Sequence, residues 1–219
     1  MAKIVLVIPA YNEAERIATV VEKAAPLVDR VVVIDDGSTD KTFTKAQSAG
    51  ALVLRHRINL GKGAALKTGC EAARSLGAEI IILMDGDGQH PPEEIPKILE
   101  KFDSQYDAVL TIRQFNRTMP PIMLLGNLIL TATARLLFKI RINDLTCGLR
   151  AFRKEAYEKI KWRSSGYAVE TEIAINITQA GLNYAVVPIE TIYFNAYKGT
   201  TFIDGLKIFL NMLIWRLIR

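Results

Sequence analysis

The feature that most constrains this chain is a succession of short apolar runs, each ending in a cluster of polar residues. Residues 3–8, 31–35, 51–55, 79–84 and 107–112 are rich in Val, Ile and Leu. Helical periodicity begins between them, near Glu13, Asp40, Lys62 and Pro92. A strand that is apolar on both faces must be covered on both faces, so single helices between such strands predict a mostly parallel sheet between helical layers. Right-handed crossovers then gather the functional loops at the strands' carboxyl ends. Three polar loops fall there: "PAYNEAE", "DDGSTDKT" and "DGDGQHPPEE". After Arg113 the strand pattern gives way to an apolar helix of residues 119–139 and then to "NDLTCGLRAF", which reads as an elaboration of one domain.

Composition narrows the class. With 219 residues, 50% of them hydrophobic, the chain can bury one large core. A net charge of +5 favours anionic partners, but the 28 Lys and Arg form no dense basic block, so no nucleic acid is expected. Cys70 and Cys147 lie far apart without metal-ligand spacing and read as buried small hydrophobes in a reduced, cytoplasmic setting. "KIVLVIP" follows Met1 and Ala2 directly, without a secretory leader's pattern. Residues 118–134 carry no charge, but Pro120, Pro121, Gly126 and Asn127 dilute them, which suits an interfacial or packed helix better than a span. The segment "FIDGLKIFLNMLIWRLIR" sets Lys207, Arg216 and Arg219 around an apolar body with Trp215. It fits a membrane-surface helix or a core helix equally. Residues 1–202 are thus expected to form the main domain and 203–219 an amphipathic, membrane-associated helix.

Among the loops, Asp85 and Asp87 flank Gly86 on the lip of an apolar strand. Their repulsion there is costly, and a bound divalent cation is the simplest relief. Asp35 and Asp36 end another strand; Ser38 or Asp40 can cap the following helix, but capping does not require the aspartate pair, and Asp36 is read as contacting a base or ribose. Asn12 and Glu13 suit a helix start, where an acidic residue complements the dipole. "NLGKGAALKTG" lacks the phosphate-loop spacing because Leu66 precedes Lys67 and Thr68. Gly61 and Gly63 either bring backbone amides and Lys62 to a ligand or form a plain turn. His56 and His90 read as polar loop residues, and no serine or cysteine nucleophile stands out.

As an ordered set, "VIPAYNEAERI", "VVVIDDGSTDKT", "NLGKGAALKTG", "IILMDGDGQHPPEEIPKI", "DAVLTIR", "NDLTCGLRAFRKEA" and "GYAVETEIAINITQAG" resemble the family 2 inverting glycosyltransferases of GT-A fold. The likeness is to the dolichol-phosphate mannose synthase and polyprenyl-phosphate sugar transferase branch. The resemblance implies an α/β, Rossmann-like three-layer sandwich with amphipathic interfacial helices. It also implies a site for a GDP- or UDP-sugar: Pro9, Tyr11, Glu13, Ile34 and Asp36 around the nucleoside, Asp85, Asp87 and Gln89 at Mg2+ or Mn2+ and the diphosphate, and Arg113 near the donor sugar and phosphates. Gly86 lets the backbone pass close to the ligand. The expected reaction moves a hexose, mannose or glucose, to a polyprenyl or dolichyl monophosphate. That acceptor needs no general base, since a phosphate monoester's second pKa is about 6. A sugar hydroxyl would need one, and Asp144 is the first candidate, with Glu170 or Glu172 behind it; an Asx turn or cap explains Asp144 equally. Arg117, Arg135, Lys139 and Arg141 flank the apolar helix and could dock the acceptor. The sequence departs from the branch at "YFNAYKGTTF". An arginine is usual a few residues before a Gly-x-Ser-Lys pattern, and Asn195 or Ala196 stands there, with Gly199 and Thr201 following; Lys198 can substitute only as a point charge. Residues 119–139 and 203–218 are expected to dock on the cytoplasmic face of a membrane. Two other classes share some of these features: a nucleotidyltransferase, whose glycine-rich amino-terminal loop is absent from this sequence, and a non-catalytic nucleotide-sugar binder.

Overall fold

A computed structural model describes residues 2–103, 105–114, 121–192 and 202–218. Seven strands alternate with helices: β1 (Ile4–Ala10), α1 (Ile17–Ala24), β2 (Arg30–Asp35), α2 (Thr42–Ser48), β3 (Leu52–Arg55), α3 (Lys62–Ser75), β4 (Ile80–Leu83), α4 (Ile95–Leu99), β5 (Ala108–Arg113), α5 (Pro121–Phe138), β6 (Arg150–Arg153), α6 (Lys154–Ile160), α7 (Val169–Gln179), β7 (Tyr184–Ile189) and α8 (Phe202–Ile218). They form one sheet in the order β3-β2-β1-β4-β6-β5-β7. Neighbours pair in parallel except on either side of β6, which runs against both β4 and β5. The mostly parallel three-layer sandwich expected from the apolar runs is therefore the observed fold.

Period-two alternation divides the core between the sheet's two faces. Val5, Val7, Val32, Ile34, Ile81 and Leu83 point to one side, beneath α3, α5, α6, α7 and α8. Leu6, Ile8, Val31, Val33, Ile80 and Ile82 point to the other, beneath α1, α2 and α4. Because β6 reverses direction, β4 and β5 remain parallel to each other, and the carboxyl ends of β1, β2, β4 and β5 share one edge.

Two expectations shift in detail. The first helix begins at Ile17 rather than Glu13, since residues 14–16 form a turn whose carbonyl partner is Glu13. Asn12 ahead of it takes φ 55, and its Oδ1 accepts the amide of Thr39. The carboxyl-terminal helix packs one face into the core, through Ile208, Met212 and Trp215, while Ile203, Leu206, Leu213 and Leu217 are exposed. Among the described residues, no helix is long and apolar enough to cross a membrane.

Candidate active site

Four loops meet at the shared edge. The first two are tied together by their own polar groups. Ser38 Oγ accepts the Asn12 amide, Thr42 Oγ1 accepts that of Glu13, and Asp40 accepts that of Ala14. Ser38 and Asp40 thus fasten "PAYNEAE" to "DDGSTDKT"; Asp40 also accepts the amide of Thr42 at the start of α2, whereas Ser38 does not cap that helix.

Asp36 is buried at the end of β2. Its Oδ1 accepts Nδ1–H of His56 at 2.7 Å and the Leu60 amide at 3.0 Å, and its Oδ2 accepts the Gly61 amide at 2.8 Å. His56 reaches on through Nε2 to Thr68 Oγ1 on α3. This histidine is no bystander, and Asp36 organises the loop that delivers Lys62. Gly61 adopts φ +94, and Ser165 O accepts the amides of Gly63 and Ala64. Those amides are therefore spent within the chain, as the plain-turn alternative has it, and what the loop offers is the side chain of Lys62. Ile34 is corrected likewise: it is wholly buried in the core, so it forms the floor under the loop and not a contact surface. Pro9 is buried beside it, Glu13 is partly covered, and Tyr11 is 47% exposed at the rim.

Lys62 is the centre of the charge pattern. Its ammonium lies 2.6 Å from Asp85 Oδ1 and is also paired with Glu170 Oε1 on α7. Burial disfavours the ammonium, but Asp85 and Glu170 outweigh it and hold its pKa well above the usual range. Burial likewise works against the Asp85 carboxylate, and Lys62 and then His90 and Arg113 more than offset it, holding that carboxyl below its ordinary value. Lys62 offsets the charge of Asp87 less than it does that of Asp85. Burial and the adjacent Asp85 charge push Asp87 up to about 6, although its Oδ1 accepts the Gln89 amide. Gly86 is buried against Ile8, Ile17 and the Pro9 carbonyl, so a side chain in the turn between the two aspartates would crowd these neighbours. His90, read from sequence as a polar loop residue, is buried among these charges; burial lowers its pKa to about 4, so it is neutral at physiological pH. Only its place after an apolar strand and the "DGDGQ" turn hinted at this.

On the far side of β4, Gly148 supports Asp85: a Cβ built there would lie 2.2 Å from Asp85 Oδ2. Arg113, at the end of β5, grips Asp144 in a fork, with Nε to Oδ2 at 2.6 Å and one terminal nitrogen to Oδ1 at 2.8 Å. The Arg113 amide also donates to Asp144, and the guanidinium reaches Thr146. Buried Asp144 is held below its ordinary pKa, burial being outweighed by Arg113. A low-pKa carboxylate with both oxygens engaged is a weak proton acceptor, which redirects Asp144 from the base role to that of positioning Arg113. Glu172 is occupied by the amides of Arg163 and Ser164 and the Ser164 hydroxyl. Arg150, also buried, donates to the carbonyls of Leu145, Cys147 and Glu170, tying the loop before β6 to α7. Lys198 and Arg117 lie outside the described residues.

An oxygen-only donor set with one carboxylate destabilised by its neighbour suits a hard divalent cation such as Mg2+ or Mn2+. Among the described residues, no group of three His, Cys, Asp or Glu could hold a metal ion. A cation here would therefore rest on Asp85, Asp87 and Gln89 and take its remaining ligands from a bound diphosphate.

A mostly parallel sheet with paired aspartates at a strand's carboxyl end fits a glycosyltransferase of GT-A architecture. The chain belongs to glycosyl transferase family 2, whose model matches residues 5–161. It is 32% identical to the UDP-N-acetylglucosamine–dolichyl-phosphate N-acetylglucosaminyltransferase of Methanococcus voltae, over 98% of this chain and 96% of that protein. It is 30% identical to the polyprenol monophosphomannose synthase of Mycolicibacterium smegmatis, over 84% of this chain and 75% of that one. Among solved structures, glucosyl-3-phosphoglycerate synthase from Mycobacterium tuberculosis, in complex with Mn2+, UDP and phosphoglyceric acid, superposes with a TM-score of 0.78. That match has 21% identity and covers 98% of this chain and 78% of the other.

Proposed function

We propose that this glycosyltransferase moves a hexosyl or N-acetylhexosyl group from a GDP- or UDP-sugar to a polyprenyl monophosphate, with inversion and with Mg2+ or Mn2+. The carrying observation is the engagement of every carboxylate that sequence offered as a base. Asp144 is forked by Arg113, Glu170 is paired with Lys62, and Glu172 is bonded to the loop of residues 163–164. A site so arranged suits an acceptor that is already an anion, and a phosphate monoester with a second pKa of about 6 is largely dianionic at neutral pH. The names of the Methanococcus and Mycolicibacterium relatives support the lipid acceptor, and the metal in the mycobacterial structure supports the cation.

In this reading Pro9, Tyr11, Glu13 and Asp36 frame the nucleoside, with Ile34 beneath, and Asp85, Asp87 and Gln89 hold the cation. The bound cation supplies Lewis-acid stabilisation of the charge that develops on the leaving diphosphate. Arg113, kept in place by Asp144, presents fixed positive charge toward the donor phosphates. An acceptor phosphate oxygen attacks the anomeric carbon as the bond to the nucleoside diphosphate breaks, so the electron pair leaves with the diphosphate. A cavity of about 490 Å3 between Tyr167 and α8, lined also by Lys207, Ile208 and Trp215, supports an approach of the acceptor from this side.

The test is a panel of radiolabelled GDP- and UDP-sugars, N-acetylglucosamine included, incubated with either cation and a polyprenyl monophosphate. Label extracted into the organic phase from one donor is expected. Sugar-nucleotide breakdown without organic-phase label would overturn the lipid acceptor.

A further inference from the structure

Lys62 is fixed at its backbone and free only in its side chain. Asp36 accepts the amide before it, and Ser165 O accepts the amide after it, so the first turn of α3 is pinned on both sides. Its ammonium bridges Asp85 and Glu170, and all three side chains are largely buried. Asp85 has little else to offer a newcomer. Oδ1 is taken by Lys62, and Oδ2 occupies the space that a side chain at Gly148 would fill. A divalent cation approaching Asp85 thus meets a positive charge already seated on the same carboxylate, inside a buried site where screening is weak.

We infer that Lys62 is a resident counter-ion on Asp85, which a divalent cation displaces, and that the diphosphate of the donor draws the displaced ammonium. This rests on the reading of Asp85 and Asp87 as metal-holding residues. Glu170 makes the exchange feasible: it retains Lys62 when Asp85 releases it, so the ammonium never stands unpaired in a buried place. The diphosphate supplies the second anionic partner that Asp85 gives up. Cation and nucleoside diphosphate consequently enter as a pair, and the metal alone binds weakly. In the ligand-free protein Lys62 also keeps Asp85 and Glu170 from repelling each other, which gives the residue a structural effect that cation binding takes over.

The experiment is a Mn2+ titration of the full chain, following free Mn2+ by electron paramagnetic resonance, without nucleotide and then with UDP or GDP. Wild type is expected to bind Mn2+ weakly alone and at least about tenfold more tightly with one nucleotide. Lys62→Met is expected to bind about tenfold more tightly than wild type without nucleotide and to lose most of the nucleotide enhancement. Lys62→Arg, which keeps the charge, should stay weak. Lys67→Met, which removes an exposed cation from the same helix, should leave the affinity within about twofold of wild type. A Lys62→Met protein that binds Mn2+ no more tightly than wild type overturns the inference. If that variant does not fold without metal, Lys62→Gln carries the same expectation, and a Mn2+-induced rise in melting temperature larger than in wild type is the second readout. Mn2+ binding that is lost in Asp87→Asn but unaffected by Lys62→Met would overturn the counter-ion alone. Absence of Mn2+ binding in wild type with either nucleotide would overturn the metal reading beneath it.

Discussion

At the scale of single residues, the site depends on one missing side chain and one crowded charge. Gly148 is the support of Asp85, and a methyl group there would need the space that Oδ2 occupies. Gly148→Ala should therefore turn Asp85 away, lowering kcat/KM by about a hundredfold or more, about 3 kcal/mol of transition-state stabilisation. Circular dichroism should show the fold retained; unchanged turnover would mean that Asp85 does not act in its observed rotamer. Asp87 carries the opposite burden. Its pKa is raised to about 6, by burial first and then by Asp85, so the folded, metal-free protein binds this proton more tightly than the unfolded chain does. The associated stability is complete below the ordinary aspartate pKa and is lost as pH rises from there through about 6. In the presence of a chelator, Asp87→Asn should be more stable than wild type at pH 7.5, by ~2 kcal/mol, and level with it at pH 4. Thermal melts at the two pH values check this, and a stabilisation that did not shrink on acidification would contradict the charge account. The same variant should lose metal-dependent transfer.

At the scale of elements, the fork between Arg113 and Asp144 joins the end of β5 to the segment ahead of β6. Asp144→Asn leaves a buried guanidinium without its counter-charge, a loss of about 3 kcal/mol. Because Arg113 holds the Asp144 carboxyl below its ordinary value, this contribution is present above the ordinary aspartate pKa and fades only as pH falls through the lowered one. The penalty should then be similar at pH 5 and pH 8 in denaturant titrations. A general base would instead shift the acidic limb of the rate profile while sparing stability. Five strands were legible because their runs are apolar, whereas β6 and β7 were not. β6 is "RAFR", a four-residue strand with a buried arginine at one end and a partly buried one at the other, so neither length nor hydropathy marks it. β7 is "YAVVPI", in which Pro188 lacks the amide donor that an interior strand normally needs and so weakens the strand pattern. The metal-side aspartates were visible because they interrupt an apolar run. Lys62 with Glu170, and Gly148 with Asp85, were invisible because antiparallel β6 and the packing of α7 create those meetings across long stretches of chain.

At the scale of the whole molecule, the catalytic edge of the sheet and the exposed apolar face of α8 lie close together. Burial first, and then Asp204 in the first turn of α8 together with Asp85 and Glu170, hold the pKa of the Tyr167 hydroxyl above its ordinary value against the opposing effect of Lys62. Leu206 and Leu217 are 50% and 86% exposed, while Trp215 from the same helix is buried in the core. One helix thus anchors itself inward and presents leucine outward, beside α5, where Leu128 and Leu136 are also exposed. Arg135, Lys139 and Arg141 stand exposed at the end of α5 and after it. An apolar surface rimmed by cations suits an anionic bilayer, whose headgroups meet the charges as the leucines enter the acyl boundary. Replacing both Leu206 and Leu217 by Glu should lower co-sedimentation with phosphatidylglycerol-containing vesicles by about tenfold, with the melting temperature unchanged because neither side chain is in the core. Raising salt should weaken the wild type by screening its cations. If the double variant sediments as well as wild type, the leucine face is not the docking surface; if it stays in solution and still glycosylates a short, water-soluble prenyl phosphate, membrane capture and chemistry are separable functions of α8 and the sheet edge.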